Sequence, residues 1–158
     1  AIDRRDAGQG IAGAIAGSLV AGLGITAMMM GGEKKSGKLS ELIELQRASA
    51  RKLDVRTPSG GHLPSTGEQA SAQGGHLLLS GLAGIAYGAV TDEDTNPAVG
   101  GVLFGLSFYA LAHWITGPAL GVKASEWTQG GRTIAMHTIN HVMFGLVTAF
   151  GAHAAARA

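Results

Sequence analysis

The stretch TNPAVGGVLFGLSFYALAHWITGPALGV, residues 95–122, contains no Asp, Glu, Lys or Arg. Its length of 28 residues exceeds the about 20 that an α-helix needs to cross ~30 Å of hydrocarbon. A helix of this length in a soluble protein would carry charges on its solvent-facing side. The stretch therefore predicts a transmembrane helix, which we place at about 97–116.

Three further windows are free of charge, at 7–32, 69–91 and 133–156. All 12 Lys and Arg and all 11 Asp and Glu lie outside the four windows. A charged side chain costs a few kcal/mol at the centre of a bilayer, so this confinement of charge predicts four spans. The fold class predicted is all-α, an integral membrane four-helix bundle forming a single domain over residues 1–158. The spans are placed at about 10–30, 74–90, 97–116 and 133–153, with a polar connection at 31–73.

Composition excludes several classes of function. The formal net charge of +1 gives no electrostatic case for a nucleic-acid partner. The chain has no cysteine, which excludes disulfides, thiolate metal sites and cysteine nucleophiles. The first window is longer than the apolar core of a signal peptide and lacks its small-residue cleavage pattern, so we expect a retained span.

Small residues recur four apart in three of the windows, as the motif GxxxG. Such spacing lines one helix face with small side chains and lets a second backbone approach closely in lipid. The predicted helix-packing residues are Gly13, Gly17, Gly84, Gly88, Gly101 and Gly105. They indicate close helix packing, within this chain or against other membrane subunits or a second copy.

The polar connection divides into two parts. Residues 36–55 alternate apolar and charged side chains at helical spacing, which predicts an amphipathic helix lying on lipid or on another subunit. Residues 57–73 contain Pro58, Pro64 and several Gly and Ser, which favours an irregular loop.

Of the five histidines inside the predicted spans, four are the candidates for chemistry: His76, His113, His137 and His141. An up-and-down topology brings all four to one end of the bundle, together with the methionines at 28–30. Imidazole is a ligand for haem iron, for a pigment metal and for copper or zinc, so these four are the candidate cofactor-binding residues. The same residues could instead titrate as part of a proton-responsive protein, or make interhelical hydrogen bonds.

No catalytic constellation is visible in the sequence. It has no phosphate-binding glycine loop, no serine elbow and no carboxylate within a span. Asp92, Asp94 and Asn96 lack the Gly and terminal Glu of a calcium loop, so we interpret them as a solvated turn before a helix that starts at Pro97. We expect a non-catalytic protein.

Several short motifs resemble a known family. They are His76 with Ser80 and Tyr87, the span ending in His113-Trp114-Ile115-Thr116-Gly117-Pro118, and His141 with Phe144. Over roughly residues 74–150 this pattern is similar to the YagU-like inner-membrane proteins. The resemblance implies a multi-pass protein of the bacterial inner (cytoplasmic) membrane with its termini in the cytoplasm, and it supplies no catalytic residues. His137 departs from the pattern, which has an acidic residue at this place.

The charge count favours the opposite orientation. With four spans the polar connection and the link at 123–132 lie on one side and carry nine of the 12 Lys and Arg. The positive-inside rule would put that side in the cytoplasm and both termini outside. Orientation therefore stays open at the level of sequence.

The function favoured by the sequence is a structural or accessory membrane subunit that packs against partner helices. The alternatives are haem, pigment or metal binding by the histidines, or a proton-responsive membrane protein. The lipid bilayer is the one partner that all three share.

Overall fold

The computed structural model describes residues 4–58 and 60–158, with side chains from Ala7 onward. Over these residues the chain is helical, which confirms the all-α class. The five main helices are α1 (Arg4–Ser36), α2 (Glu41–Lys52), α3 (Thr66–Val90), α4 (Pro97–Ala119) and α5 (Gly131–Ala156). Within α4, the segment Ala110–Thr116 is a π-helix, and Glu126–Thr128 forms a short 3₁₀ turn before α5.

Side-chain caps set the beginnings of three helices. Asn96 accepts hydrogen bonds from the backbone N–H groups of Ala98 and Val99, and Pro97 is the first residue of α4. Ser40 and Ser65 cap α2 and α3 in the same way. Each cap satisfies backbone donors that have no partner within the helix and contributes about 1 kcal/mol. The cap at Ser65 starts α3 well before residue 74, so the predicted irregular loop at 57–73 is wrong over its second half.

Three helical segments of the described chain are long and apolar enough to cross a membrane: Ala7–Ser36, Pro97–Ala119 and Gly131–Ala156. The predicted span at 74–90 lies within α3, which is not one of the three. Gln73, His76, Ser80 and several glycines lower the mean hydropathy of α3. Apart from Glu68, however, α3 carries no charged residue.

Glycines form the contacts between the long helices. Gly13 and Gly17 of α1 lie against the backbone of α5 at Gly151 and Val147, where an added Cβ would overlap a carbonyl oxygen. Gly84 and Gly88 of α3 lie equally close to Ala14 and Ile11 of α1, and Gly101 and Gly105 of α4 to Gly145, Leu146 and His141 of α5. All six glycines singled out in the sequence therefore face another helix of this chain. The paired positions run in opposite directions, so α1 is antiparallel to both α3 and α5, and α4 to α5.

The buried apolar core is small. It consists of Ala14, Tyr87, Ala149 and Ala152, with Phe104 packed against it. The Tyr87 and Phe104 rings meet edge to face, with centroids 5.1 Å apart, and join α3 to α4. Large apolar side chains point outward instead, among them Val20, Leu78, Leu103, Ile139 and Phe150. Such extensive apolar exposure is typical of a lipid-facing surface.

The predicted amphipathic helix at 36–55 is the shorter α2, which lies on α3 of the same chain. Ile43 and Arg47 are its buried residues. The Arg47 guanidinium donates to both carboxylate oxygens of Glu68, at 2.6 and 3.0 Å, and to the carbonyl oxygens of Gly60 and His62. This set of bonds holds α2 and the loop after it over one end of the long helices.

Candidate metal centre

One polar cluster lies at the end of the molecule where α1 and α4 finish and α3 and α5 begin. Its members come from four parts of the chain: α2, the second half of α4, the link between α4 and α5, and the first half of α5. They are Glu41, Tyr109, His113, Lys123, Glu126, His137 and His141.

His137 occupies the centre of the cluster. Its Nδ1 is 2.6 Å from Oε1 of Glu126, and its Nε2 is 2.6 Å from Oε2 of Glu41. A carboxylate only accepts hydrogen bonds, so in this arrangement both ring nitrogens of His137 carry protons. The imidazolium thus links α5 to α2 and to the α4–α5 link.

Glu126 is the most enclosed charged group of the described chain, with no exposed surface. It accepts hydrogen bonds from the Tyr109 hydroxyl at 2.8 Å and from Lys123 Nζ at 2.7 Å, in addition to His137. Lys123 Nζ is also 2.7 Å from Oε1 of Glu41. Two carboxylates, one ammonium and one imidazolium therefore balance each other's charge in a site where Glu126 is fully enclosed and Glu41 is partly exposed.

The pKa values of the groups outside the helical spans reflect this pairing. Burial alone would raise the pKa of Glu41, but hydrogen bonds from His137 and Lys123 outweigh it and lower the pKa to about 2. The pKa of Glu126 is also lowered to about 2, because hydrogen bonds from Lys123, His137 and Tyr109 outweigh its burial. Burial lowers the pKa of Lys123, but the two carboxylates raise it by a larger amount. Both carboxylates are therefore ionised at neutral pH.

His113 is the one cluster member with an unsatisfied polar atom. Its Nδ1 is buried and has no hydrogen-bond partner among the described residues. It lies 3.6 Å from Oε1 of Glu41 and 3.6 Å from Oε2 of Glu126, beyond good hydrogen-bonding distance. One ligand atom each from Glu41, His113 and His137 lies within 4.8 Å of the other two.

The other histidines take different places. His141 Nδ1 donates to the carbonyl oxygen of His137 at 2.7 Å, and its ring centroid is 4.8 Å from that of His113. His76 pairs instead with Thr26 of α1, with 3.3 Å between Nδ1 and Oγ1. The structure thus places three of the four candidate histidines ring against ring, with His76 bonded to α1. Met28 and Met30 are about half exposed.

Sequence reasoning missed Glu41, Lys123 and Glu126. All three lie outside the charge-free windows, where charged residues are normally solvated, so hydropathy gave no signal of their burial. The spacing of Lys123 and Glu126 by three residues was a weak local signal of an ion pair. Only the fold of the link and of α2 brings these groups over the helix ends.

Comparison of the chain with known protein families, characterised proteins and solved structures found no match. The resemblance to YagU-like proteins stays a prediction.

Proposed function

We propose that this chain is a four-span membrane protein that binds a divalent transition-metal ion, with Zn²⁺ the best fit, through Glu41, His113 and His137. The observation that carries the proposal is the convergence of three ligand atoms, one from each residue, within 4.8 Å of one another. The buried and unpartnered Nδ1 of His113 supports it, because an unpaired buried nitrogen costs free energy that a metal bond would recover.

The second partner of His137 gives independent support. A metal-binding histidine usually donates its other ring N–H to a carboxylate, which fixes the orientation of the ring. Glu126 occupies that position, with Oε1 2.6 Å from Nδ1 of His137. A metal ion would then replace the proton on Nε2, the nitrogen that faces Glu41. Tyr109 and Lys123 hold Glu126 in turn.

The ligand types favour zinc over the other predicted cofactors. Two imidazole nitrogens and one carboxylate oxygen form a common zinc ligand set, and three protein ligands leave a fourth position for water or a small ligand. The His113 ring centroid is 4.6 Å from that of His137 and 4.8 Å from that of His141, so the His113 ring lies against both of the others. This packing disfavours haem or a pigment, because a macrocycle would have to separate the rings.

Four spans are supported by the order of the helices. α1 and α3 run antiparallel along a shared glycine contact, and the short turn at 91–96 returns the chain into α4. If α1 and α4 cross the bilayer, α3 has to bring the chain back across it.

Because the chain has no cysteine, single cysteines at Glu93, Ser125 and Ala158 can report topology by labelling with an impermeant maleimide. Four spans require residues 93 and 158 to react from one side and residue 125 from the other.

The GxxxG glycines, which suggested an accessory role against partner helices, no longer support that role. The six glycines that indicated a packing surface contact this chain's own helices. Those glycines therefore give no reason to expect a partner subunit, although association with one stays a prediction.

Zinc binding can be tested on purified protein in lipid nanodiscs after treatment with a chelator. Calorimetric titration with Zn²⁺ should show one strong site, and elemental analysis should recover one ion per chain after washing. His113→Ala and Glu41→Gln should each weaken binding by at least tenfold. His153→Ala is the matched control, because His153 is near the end of α5 that is remote from the cluster. Equal binding by all four proteins, or no binding by the wild type, would refute the proposal.

A further inference from the structure

The end of the molecule that contains the Glu–His–Lys cluster has a strongly basic outer surface. Seven Lys and Arg side chains at this end are exposed, against only two exposed carboxylates, Glu44 and Asp54. The exposed basic residues are Lys34, Lys35, Lys38, Arg51, Lys52, Arg56 and Arg132. We call these seven residues the basic surface.

The imbalance arises because the fold buries acidic groups selectively. Glu33 is buried and accepts hydrogen bonds from the backbone N–H of Ser40, at 2.7 Å, and from the side chain of Gln69. Glu68 is paired with Arg47, and Glu41 and Glu126 belong to the cluster. Four of the six carboxylates at this end are thus bonded within the protein, and three of these four, Glu41, Glu68 and Glu126, have a cationic partner. The formal net charge of +1 therefore understates the positive charge presented here.

Exposed apolar and aromatic side chains border the basic surface. Leu53, Val55 and Leu63 lie in the connection after α2, and Leu120 and Trp127 in the α4–α5 link, all more than half exposed. Trp127 packs against Trp114 of the π segment, with ring centroids 6.0 Å apart. Tryptophans and basic side chains together are typical of the depth where lipid headgroups meet water. With the long helices across a bilayer, we expect the basic surface at the level of the phosphate groups.

We propose that the basic surface binds the headgroups of anionic phospholipids in the adjacent leaflet and enriches them around this end of the protein. Charge complementarity points to anionic phospholipid as the ligand of this surface, because clustered Lys and Arg next to a membrane span attract anionic lipid more than zwitterionic lipid. This proposal does not depend on metal binding, since none of the seven residues contributes a ligand to the cluster.

The tryptophans provide a local probe. Both tryptophans of the chain lie at this end, so their fluorescence reports on the surrounding lipid. The protein is reconstituted in phosphatidylcholine vesicles that contain a minor share of phosphatidylglycerol, with bromine on one lipid or the other. Brominated phosphatidylglycerol should quench more strongly than the same mole fraction of brominated phosphatidylcholine. The excess quenching by brominated phosphatidylglycerol should decrease at about 1 M salt, where the screening length falls to ~3 Å.

Two sets of substitutions test the surface itself. Arg51→Gln/Lys52→Gln/Arg56→Gln and, separately, Lys34→Gln/Lys35→Gln/Lys38→Gln should each reduce the excess quenching at low salt. Glu44→Gln/Asp54→Asn is the matched control, which removes exposed negative charge and should increase the excess. Helix content measured by circular dichroism shows that each variant is folded. Equal quenching by the two lipids in the wild type, or no change in either folded triple variant, would overturn the proposal.

Discussion

Gly105 of α4 lies so close to His141 of α5 that a β-carbon on Gly105 would overlap the carbonyl oxygen of His141. One turn away, Gly145 lies equally close to the backbone of α4 at Gly101 and Gly105. At these glycines α4 and α5 therefore meet backbone against backbone, without a side chain between them. Because His113 is on α4 and His137 on α5, this contact also sets the distance between two proposed zinc ligands.

Replacing Gly105 with Leu should separate the two helices. Overpacking of a tight contact typically costs about 1–3 kcal/mol, and Gly105 faces backbone that cannot move aside as a flexible side chain would. We expect a lower unfolding midpoint in detergent and weaker zinc binding. Gly24→Leu is the control, because Gly24 has open space around it and should leave both properties near wild type. Equal midpoints for the two variants would contradict the close contact.

Glu126→Gln should weaken zinc binding without removing a ligand. Loss of a carboxylate that orients a metal-binding histidine typically lowers affinity by about 10- to 100-fold. We therefore expect one ion per chain at saturation, with a higher dissociation constant in calorimetry. Glu44→Gln, an exposed substitution on α2, serves as the control and should bind as the wild type does. A complete loss of binding by E126Q would mean that Glu126 is itself a ligand.

The long helices are the part of the fold that the sequence predicts best. The four charge-free windows place α1, α3, α4 and α5, because burying charge in hydrocarbon is so costly that the pattern leaves few alternatives. The boundaries are less predictable: α3 starts after its Ser65 cap, eight residues before the predicted span at 74–90, and α1 extends beyond the predicted 10–30 at both ends. The Asn96–Pro97 start of α4 is confirmed, because the capping signal there is purely local.

The candidate site is only partly predictable. Topology alone was enough to expect His113, His137 and His141 at one end of the molecule. The burial of Glu41 and Glu126 depends on how α2 and the α4–α5 link fold over that end, which is a tertiary property without a periodic signal in sequence. Polar residues outside the long helices are usually solvated, and Glu41 and Glu126 of the cluster are exceptions to this rule.

Breaking the pair of Arg47 and Glu68 should release α2. Removing one partner of a buried ion pair typically costs about 3–5 kcal/mol, because the other charge is left uncompensated. Arg47 is 4% exposed at its side chain and Glu68 11%, so this magnitude applies. We expect Arg47→Met to speed trypsin cleavage after Arg51 and Arg56 relative to wild type. The double variant R47M/E68L should recover part of the protection; cleavage unchanged in R47M would show that α2 does not depend on this pair.

Low pH should also release α2 from α3, because protonation of Glu68 breaks its pair with Arg47. Hydrogen bonding to Arg47 lowers the pKa of Glu68 below its ordinary value of 4.5. A carboxylate with a lowered pKa stabilises the folded arrangement fully above pH 4.5, and this stabilisation is lost as pH falls through the lower pKa of the folded state. We expect pepsin to cut the connection between α2 and α3 faster as pH falls below 4.5 and through the lower pKa of the folded state.

Control measurements isolate the contribution of Glu68. Pepsin activity is calibrated at each pH with an unfolded substrate. In R47M/E68L the corrected cleavage rate should vary less with pH than in the wild type. The same pH profile in both proteins would exclude Glu68 as the titrating group.

The π-helical segment Ala110–Thr116 sets the direction in which the end of α4 and the following link point. A π turn contains more residues than the 3.6 of an α turn, and such turns are concentrated at functional positions. An ordinary α-helix advances about 100° per residue, so winding the same residues as α instead of π would rotate everything beyond them to another face. His113 lies inside this segment, and the link with Lys123 and Glu126 follows it. The spatial alignment of the site therefore depends on the π winding of α4, and winding the same residues as α would separate its two halves while leaving every ligand in the chain.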